Sequence, residues 1–287
     1  MRYVKGCISL SPEHDYPLLR QVLHSGFVTH RQLFEFMRFN GEANERPTST
    51  ERARRWSFNW RIRRLVAHGL VHRHVVGSAV KEFVYSITAE GTLQLAAAGE
   101  GYVGTADRAN QDGRELQVAH ATELNNIQLS LMRAGRLVRW VSEVEIRSRN
   151  AVREFAYAKD YDAMVSVRVE AGDATFALEY ERTAKSETDY LKVVEKIDSE
   201  RHVDRFFYLV SSADVLRFVS WHFRRSSRLV CFGLLAEWYE RMLDTDVFEW
   251  SCRKYRPFRA VLSGTSPSHV PGCGPEPLLI PSSLPPL

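Results

Sequence analysis

Hydrophobic residues follow two periods along this chain, helical in its first third and then helical and alternating by turns. Phe58, Ile62, Leu65 and Val66 recur at i, i+4, i+7 and i+8, which predicts one buried helical stripe. Ser49 or Thr50 would cap that helix, which would run to His68 and stop at Gly69. Residues 14–25 and 30–39 read as two earlier helices. The β-rich runs 71–76 and 82–87, around Gly77 and Ser78, read as a hairpin, and Thr88 starts a closing helix to Ala98. The expected order is helix, helix, helix, hairpin, helix.

Residues 99–114 are rich in Gly, Asp and Asn and read as an interdomain linker. Beyond Glu115, the residues Leu116, Ala119, Leu124, Ile127, Leu131 and Met132 return at helical spacing until Gly135. Strands are expected at 137–147, 161–170 and 175–182, the last two joined as an antiparallel hairpin by a tight turn at 171–173. Ser186 would cap a further helix. A buried strand at 205–210, a helix at 214–223, a strand at 228–234 and a helix at 238–243 would follow. The order αβββαβαβ, after the first group of helices, predicts an α+β protein. Its divisions would be 1–98, the linker 99–114, a second domain 115–262, and a tail 263–287 whose Pro, Ser and Gly content predicts disorder.

Charge sharpens this division. The chain of 287 residues carries a net +4, yet residues 1–98 hold 14 Lys and Arg against 8 Asp and Glu, a net +6, leaving −2 for the rest. Cys7, Cys231, Cys252 and Cys273 have no metal-binding spacing, which predicts reduced thiols. The opening residues lack the apolar core of a signal peptide, and no apolar run approaches the ~20 residues needed to span a bilayer. A cytoplasmic protein without membrane contact is expected.

Between Arg46 and Arg64 stand seven arginines and a single acid, Glu51. On the helix predicted there, Arg52, Trp56, Ser57, Trp60, Arg63 and Arg64 lie opposite the apolar stripe, and Arg54 and Arg55 add to the same charged segment. Guanidinium groups so placed would meet the phosphates or guanine edges of duplex DNA, with Lys81 at the hairpin tip also near the duplex. A homodimer is expected, since one such unit reads only a short half-site. The bland alternatives are a solvated charged face, or a Trp56 and Trp60 surface that packs on another protein.

The second domain carries its own chemistry. Asp162 sits at the start of one predicted strand, while Glu179 and Glu181 share a face of the next because side chains alternate with a period of two. This layout resembles the restriction-endonuclease-like fold, whose nucleases hold a divalent cation with an Asp on one strand and a Glu/Asp-x-Lys on the next. By that resemblance Asp162 and Glu179 would bind Mg²⁺, with Glu181 beside them and Glu123 as the fourth acid. Glu181 stands where the nuclease motif has Lys. Lys185, Lys192 or Lys196 would have to replace it, or else would form plain ion pairs with Glu179 and Glu181.

Together the segments RIRRLVAHGLVHRH, HATELNNIQLSLM, KDYDAMVSVRV and ATFALEYERTAKSETDYLKVVEKI resemble the plasmid replication-relaxation and mobilisation family over about residues 14–235. That resemblance implies a winged helix joined to a restriction-endonuclease-like domain. Its motif positions would fall on His120 and Asn125, on Asp162 or Asp160, and on Glu179, Glu181 and Thr183. It implies an accessory DNA-binding protein of plasmid replication or mobilisation that needs no cofactor. The alternatives are a Mg²⁺-dependent DNA endonuclease, and an interaction module for a relaxase, transposase or other mobile-element protein.

Overall fold

A computed structural model describes residues 8–41, 50–75, 82–102, 114–152 and 156–264. The chain begins with helix α1 (Asp15–Ser25), the two-residue strand β1 (Val28–Thr29) and helix α2 (His30–Gly41), followed by α3 (Glu51–Ala67). Thr50 caps α3, its hydroxyl accepting the amide of Ala53 at 3.3 Å. At the other end Gly69 adopts φ +70, which turns the chain so that the amides of Gly69 and Leu70 donate to the carbonyls of Val66 and Leu65. Phe58, Ile62 and Leu65 are buried as the spacing predicts, and Val66 is half-buried.

Strands β2 (Val71–Val75) and β3 (Phe83–Ile87) pair antiparallel from Val71 opposite Ile87 to Val75 opposite Phe83. Helix α4 (Ala89–Ala97) follows, capped by Thr88, which accepts the amide of Gly91 at 3.0 Å. The hairpin tip, with Lys81, and the predicted cap Ser49 lie outside the described residues. β1 joins the sheet beside β3 in the order β1-β3-β2, a strand too short to show any period in sequence.

Asp15 holds the first and third helices together. It is fully buried, and it accepts the backbone amide of Ser11 at 2.8 Å while ion-pairing with Arg61 at 3.3 Å and with Arg64. A carboxylate taken out of water requires such partners.

The rest of the chain builds on α5 (Arg114–Arg133), β4 (Leu137–Ser142), α6 (Glu143–Val152), β5 (Ala163–Val169), β6 (Gly172–Glu181) and α7 (Glu187–Ser199). It continues through β7 (Arg205–Val210), α8 (Ala213–His222), β8 (Leu229–Leu234), α9 (Leu235–Arg241), β9 (Asp246–Glu249), β10 (Lys254–Pro257) and α10 (Phe258–Leu262). One seven-stranded sheet results, in the order β10-β9-β8-β7-β6-β5-β4, parallel at β6/β7 and β7/β8 and antiparallel elsewhere. The protein is therefore a mixed α+β protein.

The strand expected over 137–147 stops at Ser142, because Ser142 and Glu145 form a reciprocal cap that opens α6. The Ser142 amide donates to Glu145 Oε2 at 2.8 Å and the Glu145 amide to Ser142 Oγ at 3.4 Å. The order αβββαβαβ thus gains a helix between its first two strands. β5 begins at Ala163, so Asp162 stands just ahead of the strand rather than in it. β9 and β10 have no counterpart in the sequence reading.

Side-chain alternation divides the sheet into two buried faces. Val165, Val167, Phe176, Leu178, Phe207 and Leu209 pack with Ile127 and Leu131 of α5, Trp238 of α9 and Phe258 of α10. Met164, Ala177, Phe206, Tyr208 and Val210 face Tyr190 and Ile197 of α7 and Leu216 and Val219 of α8.

Helix α5 also packs the other way. Its Leu129 enters the core of α1, α2 and α3, and Val118 and Ala121 meet Phe27 and Val84. Polar contacts fix this junction: Asn125 Nδ2 donates to the Phe27 carbonyl at 2.8 Å, and Gln32 Nε2 donates to the Thr122 carbonyl at 2.8 Å and to Asn126 Oδ1 at 2.7 Å. Most of the expected linker, 103–113, lies outside the described residues. Among the described residues no helix is long and apolar enough to cross a membrane.

Replacing Asp15 with Ala strands two arginines in a largely buried setting. The variant should lose about 3–5 kcal/mol in urea unfolding, and Arg64→Ala should also destabilise the protein. A loss below about 1 kcal/mol for Asp15→Ala would show that the clamp is not structural.

Candidate functional site

The outward side of α3 is set by its inward side: with Phe58, Ile62 and Leu65 buried, Arg52, Arg55, Trp56 and Arg63 are exposed. Trp56 is 71% accessible and Trp60 38%, high values for the largest apolar side chain. Arg55 lies over the Phe34 ring at 5.0 Å. Ser57 and Arg54 are half-buried and line a groove of about 670 Å³ between α3 and the first two helices.

Arg64 departs from the sequence reading. Its guanidinium turns inward to Asp15 and lies 4.9 Å from the Trp60 ring centre, so it belongs to the helix clamp and not to the outward face. Arg73 on β2, absent from the sequence reading, is exposed beside the hairpin, over the Phe83 ring at 4.7 Å.

His30 joins helix to hairpin behind this face. Its Nε2 is 3.0 Å from Asn59 Oδ1 on α3 and its Nδ1 is 3.0 Å from the Tyr85 hydroxyl on β3. Burial lowers the pKa of His30, and the Asn59 hydrogen bond only partly offsets that.

The sheet carries the second constellation. Glu179 and Glu181 sit on the α7 side of β6, and Asp162 approaches them from the chain just before β5. Each acid has its own partners. Lys159 Nζ is 2.5 Å from Glu179 Oε1, and Lys185 Nζ is 2.5 Å from Glu181 Oε1. Asp162 Oδ1 is 3.2 Å from His120 Nε2, and its Oδ2 accepts the Tyr180 amide at 2.8 Å. Tyr208, opposite Glu179 on the neighbouring strand, has a buried hydroxyl without a hydrogen-bond partner among the described residues.

Glu123 has a different role from the one the resemblance implies. It accepts the Tyr239 hydroxyl at 2.9 Å and the Asn126 side-chain amide at 3.4 Å, and the α5 residue that meets Asp162 is His120, one helical turn earlier. Asp160, the other motif position, pairs with Asn150 at 2.7 Å and Arg147 at 3.7 Å. Lys192 and Lys196 are exposed on α7. Lys159, which carries the pair to Glu179, comes from a loop and leaves no periodic sign in the sequence.

Burial drives the electrostatics here. It pushes the Glu179 carboxyl up to about 7, with Asp162 adding to the rise and Lys159 opposing it. Burial likewise raises Glu181 against the pull of Lys185. Burial would lower His120, but the hydrogen bond and charge of Asp162, with Glu143 and Glu179, outweigh it and the net shift is upward. Asp162 is held below the usual carboxylate range: burial raises it, but His120, the Tyr180 amide and Lys159 prevail.

These residues do not fit a divalent cation as they stand. Two ammonium groups occupy the glutamates, and among the described residues no three His, Cys, Asp or Glu side chains converge as a metal would need. Comparison with protein-family models, with curated proteins and with solved structures gives no match to this chain.

A carboxyl raised in the folded state keeps its proton where the unfolded chain has lost it, so its contribution to stability falls as pH rises from about 4.5 to about 7. A raised His120 acts in the same sense: its contribution is full below 6.5 and is lost as pH rises through its folded value. Asp162 acts oppositely, but only as pH falls below its ordinary 3.8. His30 and His24, whose pKa burial lowers, act in the opposite sense below 6.5, so the Glu179 contribution is read from the difference between proteins. The urea midpoint of the wild type should fall relative to that of Glu179→Gln as pH rises from about 5 to about 8. An unchanged slope in Glu179→Gln would contradict the assignment.

Proposed function

We propose that this chain binds duplex DNA through the exposed face of α3, with the β2–β3 hairpin alongside, in the manner of a winged helix. One observation carries the reading: a helix buried on one side presents Arg52, Arg55, Arg63 and Trp56 to solvent on the other, next to Arg73 on the hairpin. Four guanidinium groups on one surface would meet phosphates, and release of the counterions condensed on DNA would supply much of the affinity. The strands and helices from α5 onward act as a nuclease-like scaffold, with the carboxylate cluster serving structure. An accessory role at a plasmid origin, or at another operator of a mobile element, is the setting this reading favours.

The test is fluorescence anisotropy of the full chain with labelled duplex at increasing salt. Affinity should fall steeply with salt, and the triple change of Arg52, Arg55 and Arg63 to Ala should reduce the log–log slope by roughly 0.9 for each phosphate that the variant no longer neutralises. Arg63→Ala alone should cost about 1–3 kcal/mol on a specific site if it reads a base edge. Equal salt slopes in the wild type and the triple variant would remove α3 from the interface.

A further inference from the structure

The carboxylates around β6 have an internal balance that α3 does not depend on. Asp162, Glu179 and Glu181 face three basic groups, His120, Lys159 and Lys185, each within ion-pair distance of its own acid. We propose that Lys159 and Lys185, together with His120 when protonated, are built-in counterions that close the cluster to divalent metal ions, so that Asp162 and the acids of β6 hold the fold together without a metal.

Position supports this. Oxygen ligands stand about 2.0–2.6 Å from Mg²⁺ or Ca²⁺, and the ammonium nitrogens lie 2.5 Å from their glutamate oxygens, in the space such an ion would take. Lys159 is not a loose surface chain, and Lys185, though half-exposed, is delivered by a fixed backbone. Lys159 is only 11% exposed at its side chain and lies over the Tyr161 ring at 5.3 Å. The Lys185 amide donates to the Tyr190 hydroxyl at 3.3 Å, which fixes the backbone that delivers its ammonium group to Glu181.

Admitting a metal at Glu179 would leave the Lys159 ammonium nearly buried beside a dication. Uncompensated buried charge is strongly unfavourable, and Mg²⁺ also gives up its own water reluctantly. The third pair has a further consequence: His120 lies on α5, so its hydrogen bond with Asp162 ties the helix shared by both parts of the protein to the start of β5.

The experiment is thermal melting of the full chain in MgCl₂ or MnCl₂, against NaCl at matched ionic strength. A ligand that binds only the folded state raises the melting temperature. The wild type should show no metal-specific shift. The double variant Lys159→Met with Lys185→Met, with its acids uncovered, should gain a saturable upward shift in Mn²⁺. If that variant does not fold, Lys185→Met alone takes its place, because this side chain is 46% exposed and its loss leaves the smaller gap. A saturable Mg²⁺ or Mn²⁺ shift in the wild type, abolished by Asp162→Asn, overturns the proposal. So does a lysine variant as indifferent to metal as the wild type, since the lysines would then not be what keeps the ion out.

Discussion

The two-sided burial of α5 is the constraint on which the rest of the molecule depends. Ile127 and Leu131 face the sheet, while Leu129, Val118 and Ala121 face the helices and strands before it, so the helix cannot shift toward either without opening the other. Its polar residues sharpen the fit. Asn125 takes up the Phe27 carbonyl, Gln32 reaches across to Asn126, and the Trp238 indole donates to Ser130 at 3.1 Å. Buried amides matched in this way specify one arrangement, because every alternative leaves polar groups unpaired. The face of α3 is thereby held in a defined relation to the sheet.

Charge is used in two ways within one chain. Arg61 and Arg64 turn inward to a fully buried Asp15, and Lys159 and Lys185 cover buried glutamates; these cations stabilise the fold by pairing with acids taken out of water. Arg52, Arg55 and Arg63 point outward from the same helix that supplies the clamp. Position on the helix decides between the two uses, since each step along the sequence turns the side chain by about 100° around α3.

Much of the architecture was legible because it rests on local signals. Caps at Thr50 and Ser186, the stop at Gly69, the stripe through Phe58, Ile62 and Leu65, and the β5–β6 hairpin all follow from spacing and turn chemistry within a few residues. The cap formed by Ser142 and Glu145 was equally local, but the β-rich residues ahead of it masked the start of α6. β1, β9 and the edge strand β10 are too short for a period; β1 exists only through pairing with the distant β3, and β9 and β10 through pairing with β8 and with each other. The same limit governs the sites: Glu179 and Glu181 could be placed on one face, whereas the approach of Lys159, the inward turn of Arg64 and the choice of His120 over Glu123 arise only when separate elements meet.

The central claim is that α3 presents the nucleic-acid surface, and hydroxyl-radical footprinting of the full chain with and without duplex DNA tests it at the side chains themselves. Trp56 is 71% accessible and Trp221, on α8, is 51% accessible, so both should react readily in the free protein. The account predicts that duplex DNA protects Trp56 from oxidation and leaves Trp221 unchanged. Protection of Trp221 with Trp56 still fully reactive would contradict it.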